Sequence, residues 1–147
     1  MDSTFGMTEK DAMMITLISR WELLDGCPLD LKQALDGLAE RVREKEPDTW
    51  MYMVHLQAPA PLDADNNPIE PPLPAIPLAQ QTEVTFVEIY KDESAFSRHV
   101  KGSVFQSFLK EYSHYFKQDP ARPGWPATLN TTLARVSGVV RDAACRT

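Results

Sequence analysis

Four stretches of the sequence alternate apolar and polar residues as half-buried β-strands do, and two stretches repeat apolar residues at helical spacing. Their order along the chain is strand, helix, strand, strand, helix, strand. This order predicts a ferredoxin-like α+β fold, in which an antiparallel four-stranded sheet carries both helices on one face. The chain has 147 residues, which suits one domain and is enough to bury a core.

The first predicted strand spans residues 13–23 and ends at the Asp25-Gly26 turn. The first predicted helix spans residues 29–46 and stops before Pro47, because the residue before proline avoids the helical region. Each element has one apolar face, as burial on one side requires. The apolar positions are Ile15, Leu17 and Trp21 in the strand, and Leu31, Leu35, Leu38 and Val42 in the helix.

The second and third predicted strands, residues 49–56 and 82–90, flank a proline-rich insert at 57–80. Seven of the 12 prolines lie in this insert, and proline supplies no amide donor for a sheet, so an extended loop with a turn at 65–68 is expected. The insert is either an ordered arm at a dimer or pocket rim, or a disordered spacer. The predicted apolar face of the second strand holds Trp50, Tyr52, Val54 and Leu56.

The second predicted helix spans residues 93–116, with Asp92 as its N-cap and a break near Gly102. Residues 129–140 have the β-branched content of a fourth strand. The predicted domain is therefore 13–140, with a loose arm at 1–12 and a tail at 141–147. Val87 and Ile89 make the second face of the third strand apolar too, and an exposed apolar sheet face predicts a homodimer.

Charge and composition exclude several classes of function. The net charge is −6 and the sequence pI is about 5.0, which disfavours nucleic acid as a partner. No apolar run reaches the roughly 18–20 residues of a membrane span, and residues 1–12 lack a signal peptide's apolar core. With 2 cysteines in a chain of this length, a cytoplasmic protein without a disulfide framework is expected.

One stretch resembles a known family. Residues 87–99 read Val-Glu-Ile-Tyr-Lys-Asp-Glu-Ser-Ala-Phe-Ser-Arg-His. This run is similar to the central signature of antibiotic biosynthesis monooxygenase (ABM) domains, a strand with a glutamate and an aromatic, an acidic turn, and a helix with a histidine. The resemblance covers about residues 13–110. At the turn before the second predicted strand, members of the family commonly carry a glycine after the proline. This chain has Asp48 after Pro47 and so departs from the family there.

The resemblance implies a dimeric α+β barrel with a pocket between sheet and helices in each subunit. It also implies a monooxygenase that oxidises a small aromatic or quinol-like molecule without a metal or flavin. Other members of the family degrade haem, and others act on small signalling molecules without oxygen. The alternatives are therefore a non-oxidative isomerase, a protein that processes signalling molecules, or a ligand-binding member without turnover.

The residue types needed for such chemistry are a base, hydrogen-bond donors and aromatic walls. The candidate catalytic residues are His99, Glu88 and Tyr90, and the candidate pocket residues are Phe86, Phe96, Trp21, Ser19 and Phe105. Each has a structural alternative, such as a core position for His99 and an ion pair with Arg20 or Arg98 for Glu88.

Metal and cofactor sites have little support in the sequence. The three histidines lack ligand spacing, so no metal site is predicted. Haem is the alternative cofactor, with His99 as axial ligand. Against haem, Ser19 and Tyr90 stand where the family's haem-degrading members carry asparagine and tryptophan.

Overall fold

The computed structural model describes residues 14–141, so the predicted N-terminal arm and residues 142–147 lie outside the described part. The described chain forms four strands, three α-helices and two short 3-10 turns. In chain order these are β1 (Ile15–Glu22), α1 (Leu29–Lys45), β2 (Thr49–His55), a 3-10 turn (Leu78–Gln80), β3 (Glu83–Tyr90), α2 (Glu93–Lys101), α3 (Ser103–Tyr112), a 3-10 turn (Ser113–Tyr115) and β4 (Thr128–Leu133).

The strands form one antiparallel sheet in the order β2-β3-β1-β4. β3 and β1 lie at its centre and pair along their full lengths, from Ile15 opposite Tyr90 to Glu22 opposite Glu83. This arrangement confirms the predicted ferredoxin-like α+β fold. It also brings alternate residues of the two central strands onto one face, below the helices.

The core lies between this sheet face and the helices. The buried positions of α1 are the predicted Leu31, Leu35, Leu38 and Val42. Full burial of each such side chain contributes roughly 1.5–3 kcal/mol, so this stripe rather than helix propensity holds α1 on the sheet. Trp21 lies in the centre of this core. Its ring centroid is 4.7 Å from that of Phe86 and 5.2 Å from that of Phe116.

The predicted helix break is confirmed at Gly102, which separates α2 from α3. A Cβ at this position would lie 2.7 Å from the carbonyl oxygen of Arg98, so only glycine fits. The helix was expected to continue to residue 116, and there the prediction was wrong. α3 ends at Tyr112, because Phe116 is fully buried in extended backbone and bridges to Leu23.

Two strand predictions were also wrong in part. β4 ends at Leu133 rather than at residue 140, because Leu133 pairs with Thr16 and β1 starts only one residue earlier. Trp50 was expected to share a face with Tyr52 and Val54, as a core or interface residue, but it does not follow their alternation and is 43% exposed. Thr49 pairs with Tyr90, and Met51 pairs with the adjacent Ile89. Trp50 therefore has no residue opposite it and is the extra residue of a bulge.

The insert at 57–80 is an extended loop, and its predicted turn is present. The carboxylate of Asp63 accepts hydrogen bonds from the amides of Asp65 and Asn67, and Asn66 has a φ of 65°. The ends of the insert are tied together by Gln81, whose side chain bonds to both backbone groups of Gln57.

The sheet face opposite the helices carries no covering element among residues 14–141. Its apolar side chains include Ile18, Met51, Met53, Val87 and Ile89, which alternate with the buried residues of their strands. Met53 is 50% exposed. None of the described helices is long and apolar enough to cross a membrane.

Candidate functional site

A cavity of about 470 Å³ lies between the sheet and the helices α2 and α3. The connection between α3 and β4 closes one side, where the amide of Lys117 donates to Glu22 and that of Ala127 to Lys117. The lining residues are Leu17, Ser19, Trp21, Glu88, Phe96, His99, Val100, Phe105, Asp119, Arg122, Trp125, Pro126, Ala127, Thr128 and Asn130.

His99 lies in the last turn of α2 and its side chain is only 2% exposed. The capping bond from the amide of Ala95 to Asp92 fixes the start of α2, and the Gly102 break fixes its end. The imidazole Nδ1 lies 2.7 Å from Oε1 of Glu46, the residue that follows α1. The other ring nitrogen, Nε2, is buried and has no hydrogen-bond partner among the described residues.

Glu88 lies close to that nitrogen, with its Oε1 3.9 Å from Nε2 of His99. Its side chain is 6% exposed and accepts a hydrogen bond of 3.1 Å from the hydroxyl of Tyr90. Burial raises the pKa of the Glu88 carboxyl to about 7, although His99 and the Tyr90 bond act in the opposite direction. The expected ion pair with arginine is absent from the described residues, since Arg98 pairs with Asp48 at 2.7 Å.

Two tyrosines, Tyr52 and Tyr90, pack beside Glu88 and His99. Burial raises the pKa values of the Tyr90 and Tyr52 hydroxyls, so both remain protonated near neutral pH. The Tyr52 hydroxyl is buried without a hydrogen-bond partner in the described chain. The rings of Tyr52 and Tyr90 pack against the imidazole of His99, with centroid distances of 5.2 and 5.5 Å.

The part of the cavity wall formed by β1 and β4 holds a short hydrogen-bond chain. The indole Nε1 of Trp21 donates to Oγ of Ser19 over 2.8 Å, and that hydroxyl donates to Oδ1 of Asn130 over 2.6 Å. β1 and β4 pair directly at Ser19 and Asn130. The amide Nδ2 of Asn130 is thereby left as a donor at the cavity wall.

Aromatic rings and one cation complete the walls. Phe105 lies 5.0 Å from His99 and 5.9 Å from Trp125 between ring centroids. The guanidinium of Arg122 stacks on Trp125, 3.8 Å above the ring. No carboxylate of the described residues pairs with Arg122, so its N–H groups remain available at the cavity rim.

Most of the sequence-predicted site residues meet at this cavity, but two do not reach it. His99, Glu88, Phe96, Trp21, Ser19 and Phe105 all line it. Tyr90 lies one contact away, through Glu88, and Phe86 is buried behind Trp21. The insert at 57–80 contributes no lining residue to this cavity, and an arm at a dimer interface remains a prediction for it.

Sequence reasoning missed several residues of the site. Glu46 was considered only as the end of α1, and Asn130, Arg122 and Trp125 were assigned no role. Glu46 had a local signal, because it directly precedes Pro47, where the predicted helix had to stop and its last residue could turn toward the next element. Nothing local marks Asn130 or Arg122, since strand pairing and the α3–β4 connection bring them to the cavity.

The surroundings of His99 do not fit a haem. Tyr52, Tyr90 and Phe105 pack around the imidazole, and the Glu88 carboxyl lies beside Nε2, so no flat space remains for a porphyrin. Among residues 14–141, no three His, Cys, Asp or Glu side chains are grouped so that they could hold a metal ion.

No family model and no curated protein matches the sequence. Solved structures do match. SnoaB of Streptomyces nogalater, a cofactor-independent oxygenase, superposes with a TM-score of 0.53 at 10% identity, over 88% of this chain and 100% of its own. A Caulobacter crescentus protein named as a candidate antibiotic biosynthesis monooxygenase superposes with a TM-score of 0.54 at 13% identity. The match covers 87% of this chain and 94% of that protein. The chain has the fold of ABM domains.

A third solved structure superposes over nearly the whole chain. A protein of Pseudomonas aeruginosa has a TM-score of 0.56 at 17% identity, over 90% of this chain and 99% of its own. Identities this low establish the fold and leave the reaction to be argued from the site itself. The resemblance seen in residues 87–99 is thus confirmed at the level of an ABM-like domain.

Proposed function

We propose that this ABM-like chain is an oxygenase that uses dioxygen to oxidise a small phenolic or quinol-type aromatic without a metal or flavin of its own. One observation carries the proposal. Nε2 of His99, a potential base, lies buried and without a hydrogen-bond partner among the described residues, at the wall of a cavity that is lined in part by aromatic rings. The fold shared with SnoaB, a cofactor-independent oxygenase, supports the same class of reaction.

His99 acts as the base in this proposal. An imidazole can serve as a general base, and Nε2 takes the proton of the substrate hydroxyl. The resulting phenolate is electron-rich enough to react with dioxygen. Nδ2 of Asn130 and the guanidinium of Arg122 are the donors available to the developing oxyanion.

The reaction balances with dioxygen as the only co-substrate. In a substrate whose ring carbon para to a hydroxyl carries hydrogen, that carbon gains one oxygen atom as a carbonyl, and the phenol oxygen becomes the second carbonyl of a quinone. The ring C–H and the phenol O–H supply two hydrogens, which leave with the other oxygen atom as water. Glu88, with a pKa of about 7, supplies a proton to the departing oxygen and is recharged by His99.

Oxygen uptake tests the proposal directly. The purified chain is supplied with a panel of hydroquinones and polycyclic phenols, and the His99→Gln variant is compared with His114→Gln, which changes an exposed histidine outside the cavity. We expect uptake above the uncatalysed rate, a fall of at least tenfold in His99→Gln, and no change in His114→Gln. Tenfold corresponds to about 1.4 kcal/mol of activation barrier.

A non-oxidative isomerase is the second candidate, and the Glu88–His99 pair favours it. A base and a carboxyl with a pKa of about 7 lie 3.9 Å apart, which suits removal of a proton from one carbon and its return to the next. Incorporation of deuterium from D2O into an α-hydroxyketone under anaerobic conditions would favour this candidate. Saturable binding with neither oxygen uptake nor exchange would favour a ligand-binding protein.

We propose in addition that the chain functions as a homodimer through its uncovered sheet face. Ile18, Val87 and Ile89 form an apolar centre on that face, and the half-exposed Met53 extends it. Beyond β4, Val136 and Val139 are more than 70% exposed and enlarge the apolar surface available to a second copy. Contact of two such faces would form the dimeric α+β barrel.

A further inference from the structure

His99 lies between two recesses of the molecule. On one side is the aromatic cavity, and on the other is a surface depression of about 150 Å³ whose lining includes Glu46, Asp48 and Arg98. The Glu46 side chain is 18% exposed, whereas that of His99 is 2% exposed. The contact of 2.7 Å between them is therefore a connection between a buried ring and a group that water can reach.

The polarity of this hydrogen bond defines the state of the ring. An ionised carboxylate can only accept, so the proton between the two groups belongs to Nδ1 of His99. Nε2 then carries the lone pair, which agrees with its lack of a hydrogen bond to any acceptor of the described residues, including Glu88 Oε1 at 3.9 Å. Oε1 of Glu46 also accepts from the hydroxyl of Thr49 over 3.1 Å, which leaves Oε2 for water.

The segment that carries Glu46 is held against α2 by two further contacts. Arg98 pairs with the carboxylate of Asp48 at 2.7 Å, and the amide of Lys91 donates to the carbonyl oxygen of Asp48 over 2.9 Å. The backbone amide of Glu46 itself caps α1 through Val42. Glu46 is thus placed from both sides, by the end of α1 and by α2.

We infer that Glu46 is a proton-relay residue, which carries protons between His99 and solvent on the side of the ring away from the cavity. This inference rests on the proposed role of His99 as a base. When Nε2 takes a proton from a bound ligand, Nδ1 releases its own proton to Glu46, and Glu46 passes it to water. When Nε2 later returns a proton to a group in the cavity, Glu46 takes one from water and reloads Nδ1.

Few titratable groups face His99 and Glu46 among the described residues. His99 faces Glu46 from the end of α1, Glu88 and Tyr90 from β3, and Tyr52 from β2. Around the depression, Glu46 is accompanied by Lys45, Asp48 and Arg98. If Glu46 only oriented the imidazole, it would hold the ring but transfer no proton. The relay and the orienting role therefore predict the same structure but different rates of proton exchange at His99.

The test measures proton exchange at His99 without relying on turnover. In the full chain labelled with 15N-histidine, NMR gives the tautomer of His99 and the rate at which its ring proton exchanges with water. Glu46→Gln keeps the shape but cannot relay a proton, and Glu46→Asp retains the carboxylate. Asp48→Asn is the matched control, because it loosens the same segment without touching His99.

We expect exchange to slow at least tenfold in Glu46→Gln, to recover in part in Glu46→Asp, and to stay within twofold of the wild type in Asp48→Asn. An exchange rate in Glu46→Gln equal to that of the wild type would overturn the relay. So would a slowing of exchange in Asp48→Asn as large as that in Glu46→Gln. With a turned-over substrate, Glu46→Gln should lower kcat with little change in KM, and acetate should restore it. The NMR result stands even if no substrate is oxidised, so failure of the relay and failure of the proposed function are distinguishable.

Discussion

Nδ1 of His99 lies 2.7 Å from Oε1 of Glu46, although 53 positions of sequence separate the two residues. The contact aims the second ring nitrogen toward Glu88 and the cavity, and it lets a carboxylate stabilise the imidazolium. A histidine, an outer carboxylate and an inner carboxyl thus form one line from the surface depression to the cavity.

The stability of the protein should fall as pH rises, because of Glu88. The folded state raises its pKa from 4.5 to about 7, so unfolding releases a proton between these pH values. The corresponding loss in the free energy of unfolding is about 3 kcal/mol from about pH 4.5 to about pH 8. Chemical denaturation of the wild type and Glu88→Gln across this range isolates the contribution, because His99, Glu46, Tyr52 and Tyr90 are common to both. Parallel curves for the two proteins would contradict the raised pKa.

Removal of the Tyr90 hydroxyl should raise the pKa of Glu88 above about 7. In Tyr90→Phe the carboxylate loses the hydrogen bond that favours its charged form, while its burial is unchanged. The pKa is measured by 13C NMR titration of the glutamate carboxyl groups. Tyr52→Phe is the control, because the Tyr52 hydroxyl makes no hydrogen bond within the described chain. A fall in the Glu88 pKa in Tyr90→Phe would count against the assigned bond.

Gly102→Ala and Gly37→Ala should change stability in opposite directions. An alanine Cβ at 102 would lie 2.7 Å from the Arg98 carbonyl oxygen, so we expect a loss of about 1–3 kcal/mol. A Cβ at Gly37 in α1 meets nothing within 4 Å, and alanine there should gain up to about 1 kcal/mol. Thermal and urea unfolding of both variants checks the pair. A neutral Gly102→Ala would mean that the α2–α3 break does not depend on close backbone approach.

The homodimer should dissociate when a charge is placed at the centre of the bare sheet face. Val87→Asp introduces a carboxylate that would be buried between the two sheets, at a cost of several kcal/mol. Sedimentation velocity should give a dimer for the wild type and a folded monomer for the variant. Glu83→Asp, a change at the end of the same strand that keeps its charge, should leave the dimer intact. A monomeric wild type at micromolar concentration would refute the proposed interface.

Local patterns predicted much of this fold because they report burial directly. The stripe of α1 and the alternation of β3 are properties of neighbouring residues, so each face could be assigned from sequence. Glu88, Tyr90 and His99 lie close together because strand, turn and helix follow one another without interruption. Glu88 and His99 reach the same cavity, and Tyr90 contacts it only through Glu88.

The remaining errors have long-range causes. The end of β4 is determined by where β1 begins, and the exposure of Trp50 by a bulge opposite β3, and neither leaves a mark in the local sequence. The same holds for Asn130, which β-pairing places beside Ser19. Glu88 was expected to pair with a cation, but tertiary packing buried it beside a tyrosine and a histidine instead.

The most direct test of the account is whether His99 deprotonates a bound phenol. A polycyclic phenol is bound to the protein without oxygen, at a pH below the pKa of the free phenol, and its absorption spectrum is recorded. The account predicts a phenolate band with the wild type and with His114→Gln, and a neutral phenol bound to His99→Gln. A bound phenol that stays neutral in the wild type, or a phenolate of equal strength in His99→Gln, would contradict the role of His99 as the base.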